Sequence, residues 1–164
     1  MVLGVYTKAL GPVFARALRD AGVERAMVVC GQEGLDEISI AGGTDTWTLH
    51  EDRSITEAVI HPAHFGLTAQ PLDRVAGFTP DINAATLTAL LTNNPAPAEL
   101  APPVSMDAIR DFIVLNAAAL LVVAKVASDF DDGVRRALES IKSGKAWEAL
   151  QAFKHMSIER ALVG

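Results

Sequence analysis

Seven residues, Gly31-Gln32-Glu33-Gly34-Leu35-Asp36-Glu37, hold three carboxylates and two glycines directly after the almost unbroken apolar run Arg25-Ala26-Met27-Val28-Val29-Cys30. A continuous apolar run suits a parallel strand covered on both faces, and the loop after such a strand lies at the carboxyl edge of an open α/β sheet, where ligands bind. Adjacent carboxylates at that edge suit Mg²⁺, a hard cation that takes one or two carboxylates and fills its octahedron with water and phosphate oxygens. Acids are also common in solvated βα loops, so the residue types alone leave both readings open.

The other chemistry-bearing residues read mainly as structure. His61 and His64 stand three apart, but Pro62 between them breaks the helix that would align them on a metal. Asn116 is isolated in the apolar stretch Phe112 to Ala124, and a buried amide there must find a hydrogen-bond network. Asp129, Asp131 and Asp132 follow Ser128 as acids of a first helical turn, which the helix dipole favours. Gly42-Gly43 precedes a strand and lacks the strand-before, helix-after setting of a phosphate loop, so it reads as a turn. Cys30 ends a buried strand and reads as a small apolar residue. No residue presents itself as a nucleophile or general base.

The elements that must position the acidic loop follow from periodicity. Val2-Leu3-Gly4-Val5-Tyr6 has strand length, and helical spacing at Leu10, Val13, Phe14, Ala17, Leu18 and Ala21 runs to Gly22. Strand, helix and the Arg25–Cys30 strand make a right-handed crossover unit in one parallel sheet. Residues 44–50 and 54–60, rich in β-branched and aromatic side chains and joined by Glu51-Asp52-Arg53, predict a hairpin added to that core. Thr79, Pro80 and Asp81 mark the start of a helix running to about residue 93. Four prolines keep residues 94–103 irregular. Helices are expected over 105–127, 130–143 and 145–161, the last two separated by Lys142-Ser143-Gly144. The result is an α/β fold: part of a parallel sheet with flanking helices plus a hairpin, with few strands for so many helices.

Composition sets the outer bounds. The 164 residues, 50% hydrophobic and 21% charged, describe one globular domain, 1–164. A formal charge of -6 gives no attraction to nucleic acid or anionic lipid. Phe112–Ala124 falls short of the roughly 20 residues a membrane span needs. A single cysteine and no signal-peptide pattern after Met1 point to the cytoplasm.

Val28-Val29-Cys30-Gly31-Gln32-Glu33-Gly34-Leu35-Asp36-Glu37-Ile38-Ser39 resembles the V-V-H-G-x-D/E-G-L-D-E-I-S signature of anthranilate phosphoribosyltransferases. Leu3-Gly4-Val5-Tyr6, Ala21-Gly22-Val23-Glu24-Arg25-Ala26, Phe65-Gly66-Leu67, Asn83-Ala84-Ala85 and Val114-Leu115-Asn116-Ala117-Ala118 are similar in the same order, so the likeness spans nearly the whole chain. The resemblance implies the C-terminal part of the nucleoside phosphorylase/phosphoribosyltransferase α/β domain. It implies transfer of the phosphoribosyl group of phosphoribosyl pyrophosphate to anthranilate in tryptophan biosynthesis, with Asp36 and Glu37 holding the Mg²⁺ that accompanies the diphosphate. The family's N-terminal helical domain, its glycine-rich G-T-G-G-D segment, its anthranilate-contacting arginine and its lysine-containing loop have no counterpart here, and Cys30 stands where the family often has His. The expected partners are therefore the two substrates and either the missing half or a second copy. The rival expectation is a non-catalytic binding or assembly module that keeps the fold.

Overall fold

The parallel pair that begins the chain sets the frame for everything after it. The computed structural model describes residues 1–161, and the last three residues of the expected 1–164 domain lie outside it. β1 (Val2–Gly4) pairs in parallel with β2 (Ala26–Gly31) through α1 (Gly11–Asp20). β3 (Thr44–Leu49) and β4 (Ile55–Ile60) form the expected hairpin, which joins β2 antiparallel through β3. Among the described residues the sheet order is β1-β2-β3-β4, so β1 and β4 are its edges. The ladder of β1 stops at Gly4, two residues short of the apolar run, although the Val5 N–H still donates to the Val29 carbonyl at 2.9 Å. A 3-10 turn over Lys8–Leu10 then leads into α1.

Helices cover both faces of β2, which is buried along its whole length. Met27 and Val29 point to α3 (Met106–Val123), packing with Leu115, Ala118 and Ala119. Val28 and Cys30 point the other way, to Ala15 of α1 and Trp47 of β3. The alternation follows from the pleat: successive side chains of a strand point to opposite faces. Gly11 opens α1 flat against the Trp47 indole, leaving no room for a side chain there. Gly22, at φ 82°, closes the helix as expected, with the Val23 N–H returning to the Leu18 carbonyl at 3.0 Å.

The later helices start where their caps predict. The Thr79 hydroxyl accepts from the Ile82 N–H at the head of α2 (Pro80–Leu91), and the Asp129 carboxylate accepts from the Asp132 N–H at 2.8 Å at the head of α4 (Phe130–Lys142). The acids of 129–132 therefore form a cap, and Asp132 also pairs with Arg135 and Arg136. α5 (Lys145–Ala161) follows Gly144. α3 ends at Val123, earlier than residue 127. Lys125 takes the left-handed conformation there at φ 56°, its amine reaching Glu51 at 2.7 Å, and the Val126 N–H folds back on Leu121. A lysine, not a glycine, ends this helix, which is why composition did not mark the boundary.

Gly11→Ala puts helix propensity against packing. Alanine is worth about 1 kcal/mol over glycine in a helix, but its Cβ would fall 2.1 Å from the Trp47 ring. We expect a net loss of about 2 kcal/mol, read as a lowered thermal midpoint. A midpoint unchanged or raised would show that α1 does not rest on Trp47.

Candidate functional site

After β2 the chain turns sharply and the turn is pinned at both ends. The Gly31 N–H donates to the Leu35 carbonyl at 2.7 Å and the Gly34 N–H to the Gly31 carbonyl at 2.9 Å, with Gly34 at φ 83°. Gln32 and Glu33 fold over the next turn, their side chains lying where Cβ atoms of Gly43 and Gly42 would be. That pair of glycines is a turn, as the sequence suggests: the Ser39 hydroxyl accepts from the Ala41 and Gly42 N–H groups, and β3 follows. Asp36 and Glu37 come next, both exposed.

Two contacts fix the acid pair. Gly4 of β1 packs on the Asp36 backbone so closely that a Cβ on Gly4 would lie 1.5 Å from the Asp36 carbonyl oxygen. Beyond Glu37, Ile38, Ser39 and Ile40 are wholly buried outside any strand, so their backbone groups need other partners. The Asn116 amide of α3 supplies two of them: its Oδ1 accepts from the Ile38 N–H at 3.0 Å and its Nδ2 donates to the Ile38 carbonyl at 3.1 Å, and also to Phe112 at 3.1 Å. The network expected of Asn116 is therefore a clamp on the residue next to Glu37. The sequence did not show what Asn116 clamps, nor the role of Gly4, although a glycine inside a strand run is a sign of close backbone approach.

The acids line a groove of about 460 Å³ whose other walls include Val2, Val29, Phe112 and Asn116. Glu37 is exposed overall, yet the groove walls take part of its water, and this partial desolvation, with the charge of Asp36 after it, pushes its carboxyl above the ordinary value. Among the described residues neither acid enters an ion pair. Nor do three or more His, Cys, Asp or Glu side chains come together among them in an arrangement that could hold a metal ion. Two uncompensated carboxylates side by side fit a divalent cation, and two are too few to coordinate one without water or ligand oxygens.

The remaining candidates sit elsewhere. Cys30 is buried, its thiol pushed up by burial, as an inert core residue should be. Pro62 does not break a helix between His61 and His64, as the sequence suggests it would, but opens a 3-10 turn over Pro62–Phe65. The turn brings the two rings to 5.9 Å, and His64 Nδ1 accepts from the His61 N–H at 3.0 Å, so His64 acts as a cap. An ion pair that the sequence did not suggest, Lys8 to Asp45 at 2.5 Å, joins the turn after β1 to the start of β3. No helix of the described residues is long and apolar enough to cross a membrane.

Residues 1–147 match the α/β domain of a glycosyl transferase family. The chain belongs to that family. It is 42% identical over 156 residues to the anthranilate phosphoribosyltransferase of Schizosaccharomyces pombe, covering 95% of this chain and 42% of that protein. Its similarity to the Stenotrophomonas maltophilia enzyme is 39% over 153 residues, 93% of this chain and 41% of the relative. Among solved structures, the Saccharomyces cerevisiae enzyme in complex with PRPP and Mg superposes with a TM-score of 0.79 at 30% identity, over 93% of this chain and 41% of that one. A Saccharomyces cerevisiae complex with 4-fluoroanthranilate gives the same score and coverage. The relatives are thus phosphoribosyltransferases of the glycosyl transferase family, and the chain spans about two fifths of their length.

The raised Glu37 carboxyl has a stability consequence. The folded chain holds that proton above the ordinary value of 4.5, so it binds more protons than the unfolded chain across the window above 4.5. Stability therefore falls as pH rises through that window. Glu37→Gln should raise the thermal midpoint near neutral pH and leave it little changed in acid, flattening the pH profile; a lowered midpoint at neutral pH would contradict this.

Proposed function

We propose that this chain forms the magnesium-binding part of an anthranilate phosphoribosyltransferase, with Asp36 and Glu37 as the metal's protein ligands. The observation that carries the reading is the pair itself: two adjacent carboxylates without a cationic partner among the described residues, held at the carboxyl end of β2, in a chain whose relatives are phosphoribosyltransferases. In the reaction the ribose C1–O bond to the diphosphate breaks, a C1–N bond to anthranilate forms, and the amine loses a proton. Negative charge builds on the departing pyrophosphate, and a bound Mg²⁺ supplies the positive charge that stabilises it. Asp36 and Glu37 would hold that ion, and no residue of this chain is assigned as nucleophile or general base. The setting is cytoplasmic tryptophan biosynthesis.

The rest of the transferase would dock at β1. Its outer edge is unpaired among the described residues. Beside it the α3 face of Ile113, Ala117 and Leu120 lines both the acid groove and a second groove of about 520 Å³ toward α4. Leu120 is 48% exposed and Tyr6 71%. An open parallel edge beside an apolar helix face needs a cover, and the occupant we propose is the complementary part of the transferase, with a second copy as the competing outcome.

The isolated chain should show no phosphoribosyl transfer, since positioning by the remaining part supplies much of the rate. Mixed with a polypeptide supplying that part, it should turn over anthranilate in a Mg²⁺-dependent way, and Asp36→Asn with Glu37→Gln should lower kcat/KM on the order of a hundredfold or more. Activity of the chain alone would overturn the partition, and full activity of the double variant would overturn the metal assignment. A chain that pairs only with itself and supports no turnover would favour the assembly module instead.

A further inference from the structure

We infer that Asn116 is a positioning residue for the acid pair, setting where Glu37 stands by clamping the backbone of Ile38. The inference rests on the reading of Asp36 and Glu37 as metal ligands, and it adds a residue of a different helix to that site. A carboxylate on a loop offers its oxygens in many directions, whereas a cation with near-ideal octahedral demands binds well only to ligands already fixed. Here the loop has three fixed points. The Gly31–Leu35 bridge holds its start, Gly4 holds the Asp36 carbonyl from the β1 side, and Asn116 holds Ile38 from the α3 side.

The third point is the one that specifies Glu37. Asn116 offers Ile38 one acceptor and one donor, at 3.0 and 3.1 Å, as a neighbouring strand would, and so keeps the backbone there in register without a strand. Its second amide hydrogen goes to Phe112, one turn earlier on α3, which fixes the orientation of the amide plane. Glu37, Phe112 and Asn116 line the same groove. Without the amide, the Ile38 N–H and carbonyl would be buried without partners. The segment would then move to find them, carrying Glu37 with it. An apolar residue at 116 would preserve the packing of α3 and lose this control.

The test uses the 164-residue chain, Mn²⁺ as the probe ion and inorganic pyrophosphate as the probe anion, with binding followed by calorimetry and the Ile38 amide followed by hydrogen exchange. Asn116→Ser should expose the Ile38 amide to exchange and weaken Mn²⁺ binding by about 10- to 100-fold, as loss of a ligand-orienting contact does. Val114→Ala, a cavity two residues earlier in the same helix and against α4, should destabilise the chain while leaving the affinity nearly unchanged. If Asn116→Ser does not fold, Asn116→Asp carries the same comparison: it keeps the acceptor for the Ile38 N–H, loses both donated bonds, and should still bind more weakly despite its extra carboxylate. Unchanged or tighter binding in Asn116→Ser or in Asn116→Asp, an Ile38 amide that stays protected in Asn116→Ser, or an equal loss in Val114→Ala, would overturn the role of Asn116. Equal behaviour of the unsubstituted chain and the Asp36→Asn, Glu37→Gln double variant would instead overturn the metal reading on which it rests.

Discussion

A buried segment that belongs to no strand is the constraint on which the rest of the structure depends. Ile38, Ser39 and Ile40 are wholly buried between β2 and β3, yet no neighbouring strand pairs with them. Each unpaired backbone group there would cost about 1–3 kcal/mol. Three different elements supply partners: Asn116 of α3 for Ile38, the Thr44 hydroxyl at the start of β3 for the Ser39 N–H, and the Gln70 N–H for the Ile40 carbonyl. Ile38 and Ile40 meanwhile pack with Leu115, Phe65 and Val29. Burial draws the segment inward, and the need to satisfy its backbone decides which helix, strand and loop must meet it. The acid pair stands directly upstream and takes its position from this arrangement.

The same arrangement separates a closed side of the domain from an open one. Toward β3 and β4 the sheet completes itself with a hairpin, and α1 seals one face through the contact of Gly11 with Trp47. Toward β1 the sheet stops after three residues of pairing, and the α3 face beside it presents Ile113, Ala117 and Leu120. The acid pair lies at the boundary, with Gly4 of the edge strand against Asp36 and Phe112 and Asn116 of α3 beside Glu37. A strand added at the β1 edge would therefore lie beside the acids as well.

Much of this was legible in the sequence because it depends on local signals. The β2 run, the hairpin and the helix starts at Thr79 and Asp129 are set by apolar periodicity and capping residues, and they form where those signals lie. The acidic loop was legible through its place after a buried strand and its likeness to a family signature. What stayed hidden depends on approach between distant segments. Gly4 reads as an ordinary small residue until Asp36 is placed against it, and Asn116 reads as an isolated amide until Ile38, 78 positions away, comes into reach. The His61–His64 turn differs from the sequence expectation for the opposite reason: Pro62 reads as a helix breaker, whereas at the first position of a turn its fixed φ and missing N–H are compatible with helical geometry.

The central claim is that Asp36 and Glu37 form a divalent-cation site built into the fold. Paramagnetic broadening of backbone amide signals tests it directly: Mn²⁺ is added at low stoichiometry to the isotope-labelled chain in the presence of pyrophosphate. The first signals to broaden should be those of Leu35 to Ile38, of Gly4 on the adjoining strand and of Val5 just after it, with the α4 cap at Asp129–Asp132 and the hairpin turn at Glu51–Asp52 affected only at higher concentration. Broadening that begins at either of those other acidic clusters, or spreads evenly over the surface, would contradict it.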